Sequence, residues 1–170
     1  VSGFDYVITN SGALKNSGIE LSAMARVFNK KNFKWDAGFT TGKYISTITQ
    51  LPTSRIITSF GGATYITQVN FAPNEFYGHQ ANGVYVSDAA AAADGYSVKK
   101  ADGTLQAFKG GDIKFSDING DKIIDDNDRV ILGNPNPDIF GSFFNNFSYK
   151  RFSLNTLFTF STGNEIYNYT

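Results

Sequence analysis

Antiparallel β structure is the fold expected of this chain, on three grounds. Aromatic residues make up 15% of it, with 16 Phe and 9 Tyr, and aromatics favour pleated, half-buried surfaces. Leu is sparse and there is one Met, which is poor material for a helical bundle. Several segments alternate apolar and polar residues with period two, as a strand with two unlike faces must.

The first such segment is Ile19–Phe28. One face carries Ile19, Leu21, Ala23, Ala25 and Val27; the other carries Glu20, Ser22, Met24, Arg26 and Phe28. Asn29–Asn32 then supplies a tight turn. The chain returns with Phe33, Trp35, Ala37 and Phe39 on one face against Lys34, Asp36, Gly38 and Thr40. The C-terminal part repeats the design. Phe143, Phe147 and Tyr149 share a face that Asn145 interrupts, and Lys150-Arg151 makes a short turn. Phe152, Leu154, Thr156, Phe158 and Phe160 then alternate with Ser153, Asn155, Leu157, Thr159 and Ser161.

Two hairpins, over about 17–49 and 138–162, therefore flank a long loop region over about 51–137 within a single stretch 1–170. Short strands are expected in that region at Ile56–Thr58, Tyr65–Val69, Phe76–His79 and Gly83–Val86. Ala89–Ala93 is long enough for one helical turn and too short to stand without tertiary support.

Alternation of this kind suits a soluble β-sandwich and a membrane β-barrel alike. Two details tilt the balance toward the barrel. The clean strands run about ten residues, near the roughly 9–11 that a tilted strand needs to cross the hydrocarbon layer. Aromatics also edge the apolar face near the strand ends, at Phe33 and Trp35, at Tyr149 and Phe152, and at Tyr167 and Tyr169. Such girdles mark outer-membrane barrels, as do short turns alternating with long loops. In a barrel Phe152, Leu154, Phe158 and Phe160 face lipid; in a sandwich they meet a second sheet.

Several function classes are excluded or disfavoured. Fifteen basic residues balance 15 acidic ones, without the basic surplus of a nucleic-acid binder. There are no cysteines, which removes disulfides, thiolate metal sites and cysteine nucleophiles. The single His79 forbids a multi-histidine metal site and disfavours a Ser-His-Asp triad. Glu20 and Asp36 fit an ordinary polar pair on adjoining strands better than a catalytic carboxylate couple. Gly61-Gly62 lacks the strand-loop-helix setting of a phosphate cradle. An enzyme is not expected.

Six aspartates fall between Asp112 and Asp128. Within them, Asp117, Asn119, Asp121, Asp125 and Asp128 occupy positions 1, 3, 5, 9 and 12 of a loop in which Ile123 at position 7 offers its carbonyl. That is the ligand spacing of an EF-hand-type calcium loop, and Ile124 at position 8 would anchor it to apolar neighbours. A structural calcium ion is one expectation for this segment. The other is a solvated acidic turn whose Asp and Asn side chains cap their own backbone. Lys122 stands at position 6 where Gly is usual, and Asp128 replaces the longer bidentate Glu.

The residues also carry a family resemblance. Gly111–Asp121, Ile124–Arg129 and Ile131–Pro137 resemble the late-barrel signature of SusC/RagA-type TonB-dependent outer-membrane proteins. Phe140-Gly141, Asn146–Lys150, Phe152–Leu154 and Gly163–Asn168 continue it. Upstream, Asn16–Leu21 resembles the family's N-x-G-I/V-E strand start, and Phe76–Gly78 with Gly83–Tyr85 resembles its F-Y-G…G-I/V-Y segment. The resemblance implies a piece from the C-terminal half of a plugged barrel of about 22 strands, contributing about six strands and one or two long extracellular loops. It implies residence in the outer membrane of a Gram-negative, Bacteroidetes-type bacterium. It also implies uptake of a glycan or peptide with a SusD-like surface lipoprotein, energised by TonB through an N-terminal part outside this stretch. No substrate-contacting residue is marked. The alternative is a secreted, calcium-stabilised β-sandwich module for adhesion or glycan binding.

Overall fold

The computed structural model describes residues 11–169. In chain order, β1 is Ala13–Lys30, β2 Phe33–Gln50, β3 Arg55–Phe60, β4 Ala63–Gln68, β5 Glu75–His79 and β6 Ala81–Val84. Helix α1 is Asp88–Asp94. It is followed by β7 Ser97–Lys99, β8 Leu105–Ala107, β9 Ile113–Phe115 and β10 Ile123–Ile124. A 3-10 turn, Asp126–Asp128, leads into β11 Arg129–Gly133, β12 Ile139–Tyr149 and β13 Phe152–Thr162. The expectation of an antiparallel all-β fold is met. Among the described residues no helix is long and apolar enough to cross a membrane.

The chain divides into two compact units. The first comprises residues up to Ile57, Thr67–Asn74 and residues from Asn134 onward. Its centre is a four-stranded antiparallel sheet in the order β1-β2-β12-β13. The two predicted hairpins are thus immediate neighbours, because β2 pairs with β12 from Phe33↔Tyr149 to Gly42↔Phe140. This corrects the expected strand count: the sheet has four long strands, and one excursion separates its middle pair.

Strand length also departs from expectation. β12 and β13 have 11 residues each, as a membrane crossing requires, but β1 and β2 have 18. At about 3.3 Å per residue, 18 residues extend about 60 Å. That exceeds a hydrocarbon layer of about 30 Å even at a 45° tilt. The turn-proximal part of β1 and β2 is paired in the four-stranded sheet, and the rest continues as a two-stranded ribbon. The ribbon is fastened by Ile48, whose N–H donates to Phe71 O at 2.9 Å and whose carbonyl accepts from Asn70 N–H at 2.8 Å.

Another correction concerns Phe28. The register of β1 on β2 slips between Arg26↔Asp36 and Phe28↔Trp35, so Val27 is an extra residue in a β-bulge. The bulge moves Phe28 from the polar face to the apolar one, where its ring stacks on Trp35 at 5.9 Å.

The second unit comprises Thr58–Ile66 and Glu75–Gly133. Its short strands form sheets in the orders β11-β5-β4-β3, β10-β7-β8 and β6-β9. Helix α1 is longer than the single turn expected, because both of its ends are capped. Ser87 Oγ accepts Ala90 N–H at 3.2 Å, and Gly95, at φ 72°, donates its N–H to Ala91 O. A left-handed C-terminal glycine and a serine N-cap each satisfy end groups that a bare alanine run leaves open. Ala63, Ile66, Tyr77, Tyr85, Ala91 and Ile124 are the described apolar residues buried in this unit's interior. The expected strand at Gly83–Val86 lies earlier, at β6.

Candidate functional site

The four-stranded sheet has two chemically distinct faces. On one, Trp35, Ala37 and Phe39 align with Phe147, Asn145 and Phe143, and these with Leu154, Thr156 and Phe158. Trp35 stacks on Phe147 at 5.4 Å, and Phe39 on Phe160 at 6.3 Å. Among the described residues no second sheet covers this face within the unit: Phe152 is 79% exposed and Phe158 63%. The sandwich alternative required those rings to meet another layer, and they do not. The aromatics concentrate at the short-turn end, where Phe28, Phe33, Trp35, Phe147, Tyr149 and Phe152 form a band.

One polar group interrupts this surface. Asn145 is buried, accepts the Trp35 indole N–H at 3.0 Å and lies 3.4 Å from Thr156 Oγ1 through its amide nitrogen. Satisfying a buried amide in this way removes the penalty of burying it.

The opposite face carries Arg26, Asp36, Thr40, Gly42, Phe140, Ser142 and Phe144. Arg26 Nε donates to Asp36 Oδ1 at 2.7 Å, and Thr40 Oγ1 and Ser142 Oγ are 2.7 Å apart. Two rings pack closely against glycines of the neighbouring strand. A Cβ at Gly38 would come within 2.1 Å of Phe144, and one at Gly42 within 2.9 Å of Phe140. The glycines exist to admit those rings, which shield backbone that a side chain would otherwise cover. A greasy, uncovered face backed by a hydroxyl- and charge-bearing one suits a wall between hydrocarbon and water.

The aspartate loop closes through backbone amides. Asp117 accepts Gly120 N–H at 2.7 Å and Lys122 N–H at 2.9 Å. Asn119 Oδ1 accepts Asp121 N–H at 3.0 Å, and Asp121 Oδ1 accepts Ile123 N–H at 2.7 Å. Asp125 caps the 3-10 turn by accepting Asn127 N–H, while Asp128 accepts Asp125 N–H and, across the loop, Ile118 N–H. Asp128 is 0% exposed. The two backbone bonds hold the Asp117 carboxyl below the usual carboxylate range, that from Lys122 contributing most.

Lys122 has φ 63°, the left-handed conformation that position 6 of a calcium loop needs. Its Nζ donates to the Asp94 carbonyl at 3.3 Å, at the end of α1, and lies 5.9 Å from the Tyr96 ring. Ile124, 2% exposed, anchors the loop as expected. All the loop's donors are hard oxygens, which suits a hard cation. Among the described residues, however, no three acidic or histidine side chains converge closely enough to hold a metal.

The remaining candidates separate. Glu20 pairs with Gly42 across the hairpin, whereas Asp36 lies opposite Arg26, so the two carboxylates do not form a couple. His79 Nε2–H donates to the Asp125 carbonyl at 2.7 Å and tethers the loop to β5. Sequence reasoning missed the Trp35–Asn145 bond and the glycine–phenylalanine stacks. Asn145 within an apolar alternation was the available signal for the former.

No known family profile matches the chain. Curated relatives do. TonB-dependent receptor P3 of Formosa agariphila is 33% identical over 178 residues, covering 99% of this chain and 17% of the relative. TonB-dependent receptor P39 of the same organism is 28% identical, over 98% of this chain and 18% of the relative. The chain spans about a sixth of the length of these relatives. Among solved structures, the RagAB peptide transporter matches 95% of this chain and 16% of its own, with TM-score 0.61 and 22% identity. The RagAB peptide importer in its 'open-open' state matches 90% of this chain and 15% of its own, with TM-score 0.58 and 18% identity.

Proposed function

This chain is a segment of the SusC/RagA-type TonB-dependent receptor kind, a family of the Gram-negative outer membrane, and from that premise we propose that it forms wall and outer loops of a TonB-driven nutrient importer. The cargo is an oligomer, glycan or peptide, taken up together with a SusD-like surface lipoprotein. The observation that carries the reading is the four-stranded sheet with an uncovered aromatic face on one side and a paired polar face on the other. Support for the partner and the cargo comes from the RagAB likeness, which extends over nearly the whole chain. The reading assigns no catalytic residue.

The test uses the full-length protein carrying this chain, expressed in outer membranes. Labelled oligosaccharides and oligopeptides are offered to cells with and without it, before and after the proton gradient is collapsed. Energy-dependent accumulation of either cargo is expected. Accumulation that ignores the gradient, or none with either cargo class, overturns the reading.

A second reading concerns the aspartate loop. We infer that it is a structural calcium loop: Asp117, Asn119, Asp121, Asp125 and Asp128, with the Ile123 carbonyl, would turn from the backbone amides they accept and converge on the ion more closely than they now stand. The left-handed Lys122 at position 6 favours this over an arbitrary acidic turn. The bound ion would supply charge neutralisation among the aspartates and no chemistry. Millimolar calcium is expected to raise the melting temperature of the full-length protein, and Asp117→Ala or Asp121→Ala to abolish that rise. A wild-type protein with no rise overturns it.

A further inference from the structure

The two short turns of the sheet lie side by side. Lys150 N–H donates to Asn32 O at 3.0 Å, and Phe33 pairs with Tyr149. This brings Lys30, Lys31 and Lys34 of one turn beside Lys150 and Arg151 of the other, all exposed. Residues 28–35 and 147–153 hold these five cations and no acidic residue, in a chain whose 15 basic and 15 acidic residues cancel. The nearest carboxylate along β2, Asp36, is already paired with Arg26 at 2.7 Å. Immediately inward lies the aromatic band of Phe28, Phe33, Trp35, Phe147, Tyr149 and Phe152. Lys150 Nζ sits 5.3 Å from the centre of the Tyr149 ring.

From this juxtaposition we propose that the paired turns bind the phosphate headgroups of anionic phospholipids at the membrane interface. The proposal rests on the reading of the sheet as a membrane wall. Trp35 and Tyr149 of this band are ring types that settle at the headgroup level, which places the five cations at the depth of the lipid phosphates. Clustered lysines and arginines next to a membrane attract anionic lipid, and the attraction falls off within a Debye length. Flexible lysines on tight turns can each meet a different phosphate, so the surface selects for charge rather than for one headgroup structure.

The full-length protein carrying this chain is reconstituted into phosphatidylcholine vesicles, and spin-labelled phosphatidylglycerol is compared with spin-labelled phosphatidylcholine at its surface by electron paramagnetic resonance. The motionally restricted share is expected to favour phosphatidylglycerol by about two- to fivefold and to lose that preference at high salt. K30Q/K31Q/K34Q/K150Q/R151Q should lower the preference sharply. If that variant does not fold, K30Q/K31Q and K150Q/R151Q are measured separately, each expected to remove part of it. Insertion with no preference, or a preference unchanged in the variants, overturns the headgroup site and leaves the wall intact. Failure of the wild-type protein to enter vesicles overturns the wall and the headgroup site together.

Discussion

The Trp35 indole N–H points at Asn145 Oδ1, 3.0 Å away on the neighbouring strand. The bond joins β2 to β12, and so joins the two hairpins across the excursion between them. Asn145→Leu would leave the Trp35 donor without its partner on a surface that meets lipid. An orphaned buried donor costs about 1–3 kcal/mol. The full-length protein should lose about that much stability, read as an earlier transition from the compact to the extended electrophoretic form on heating. Asn145→Gln, which keeps an acceptor, should recover part of it.

The Gly38–Phe144 stack predicts a second effect. A methyl group at residue 38 would overlap the Phe144 ring, so Gly38→Ala forces the ring out of place at a cost of about 1–3 kcal/mol. The same change in a Phe144→Ala background should be close to neutral. The double-mutant cycle measures the coupling, and additivity would refute it.

Acid should loosen the aspartate loop in a defined order. The folded state holds the Asp117 carboxyl below its ordinary range, chiefly by the bond from Lys122 N–H and also by that from Gly120. The stabilisation is therefore fully present above the unfolded-state value of about 3.9 and is lost as pH falls through the lowered folded-state value. The protection factors of the Gly120 and Lys122 amides, which correct for the intrinsic pH dependence of exchange, should fall over that acidic interval and stay constant above it. Asp117→Asn should flatten the dependence.

Lys122 carries a conformational strain that glycine would relieve. A non-glycine residue in the left-handed region costs about 1–2 kcal/mol, whereas the Lys122 Nζ contact with the Asp94 carbonyl is exposed at 3.3 Å and contributes less. Lys122→Gly should stabilise the protein by about 1 kcal/mol, seen as a higher denaturation midpoint. A loss of stability would show that the tether to α1 outweighs the strain.

Much of the wall was legible in the residues. Phe152 to Phe160 alternate because each position meets one of two unlike surroundings, and that contrast is written locally. The aspartate spacing was legible for the same reason, since its amide bonds, that from Ile118 to Asp128 apart, reach only a few residues along the chain. The bulge at Val27 was not, because a slipped register is settled by the partner strand, and so Phe28 was assigned to the wrong face. Nor was the pairing of β2 with β12, or the clustering of Lys30 and Lys31 with Lys150 and Arg151. Each hairpin closes through neighbouring residues and declares itself; joining two hairpins across the whole excursion depends on edge hydrogen bonds that any strand can offer, and their choice is made by ring stacking and by one buried amide in three dimensions.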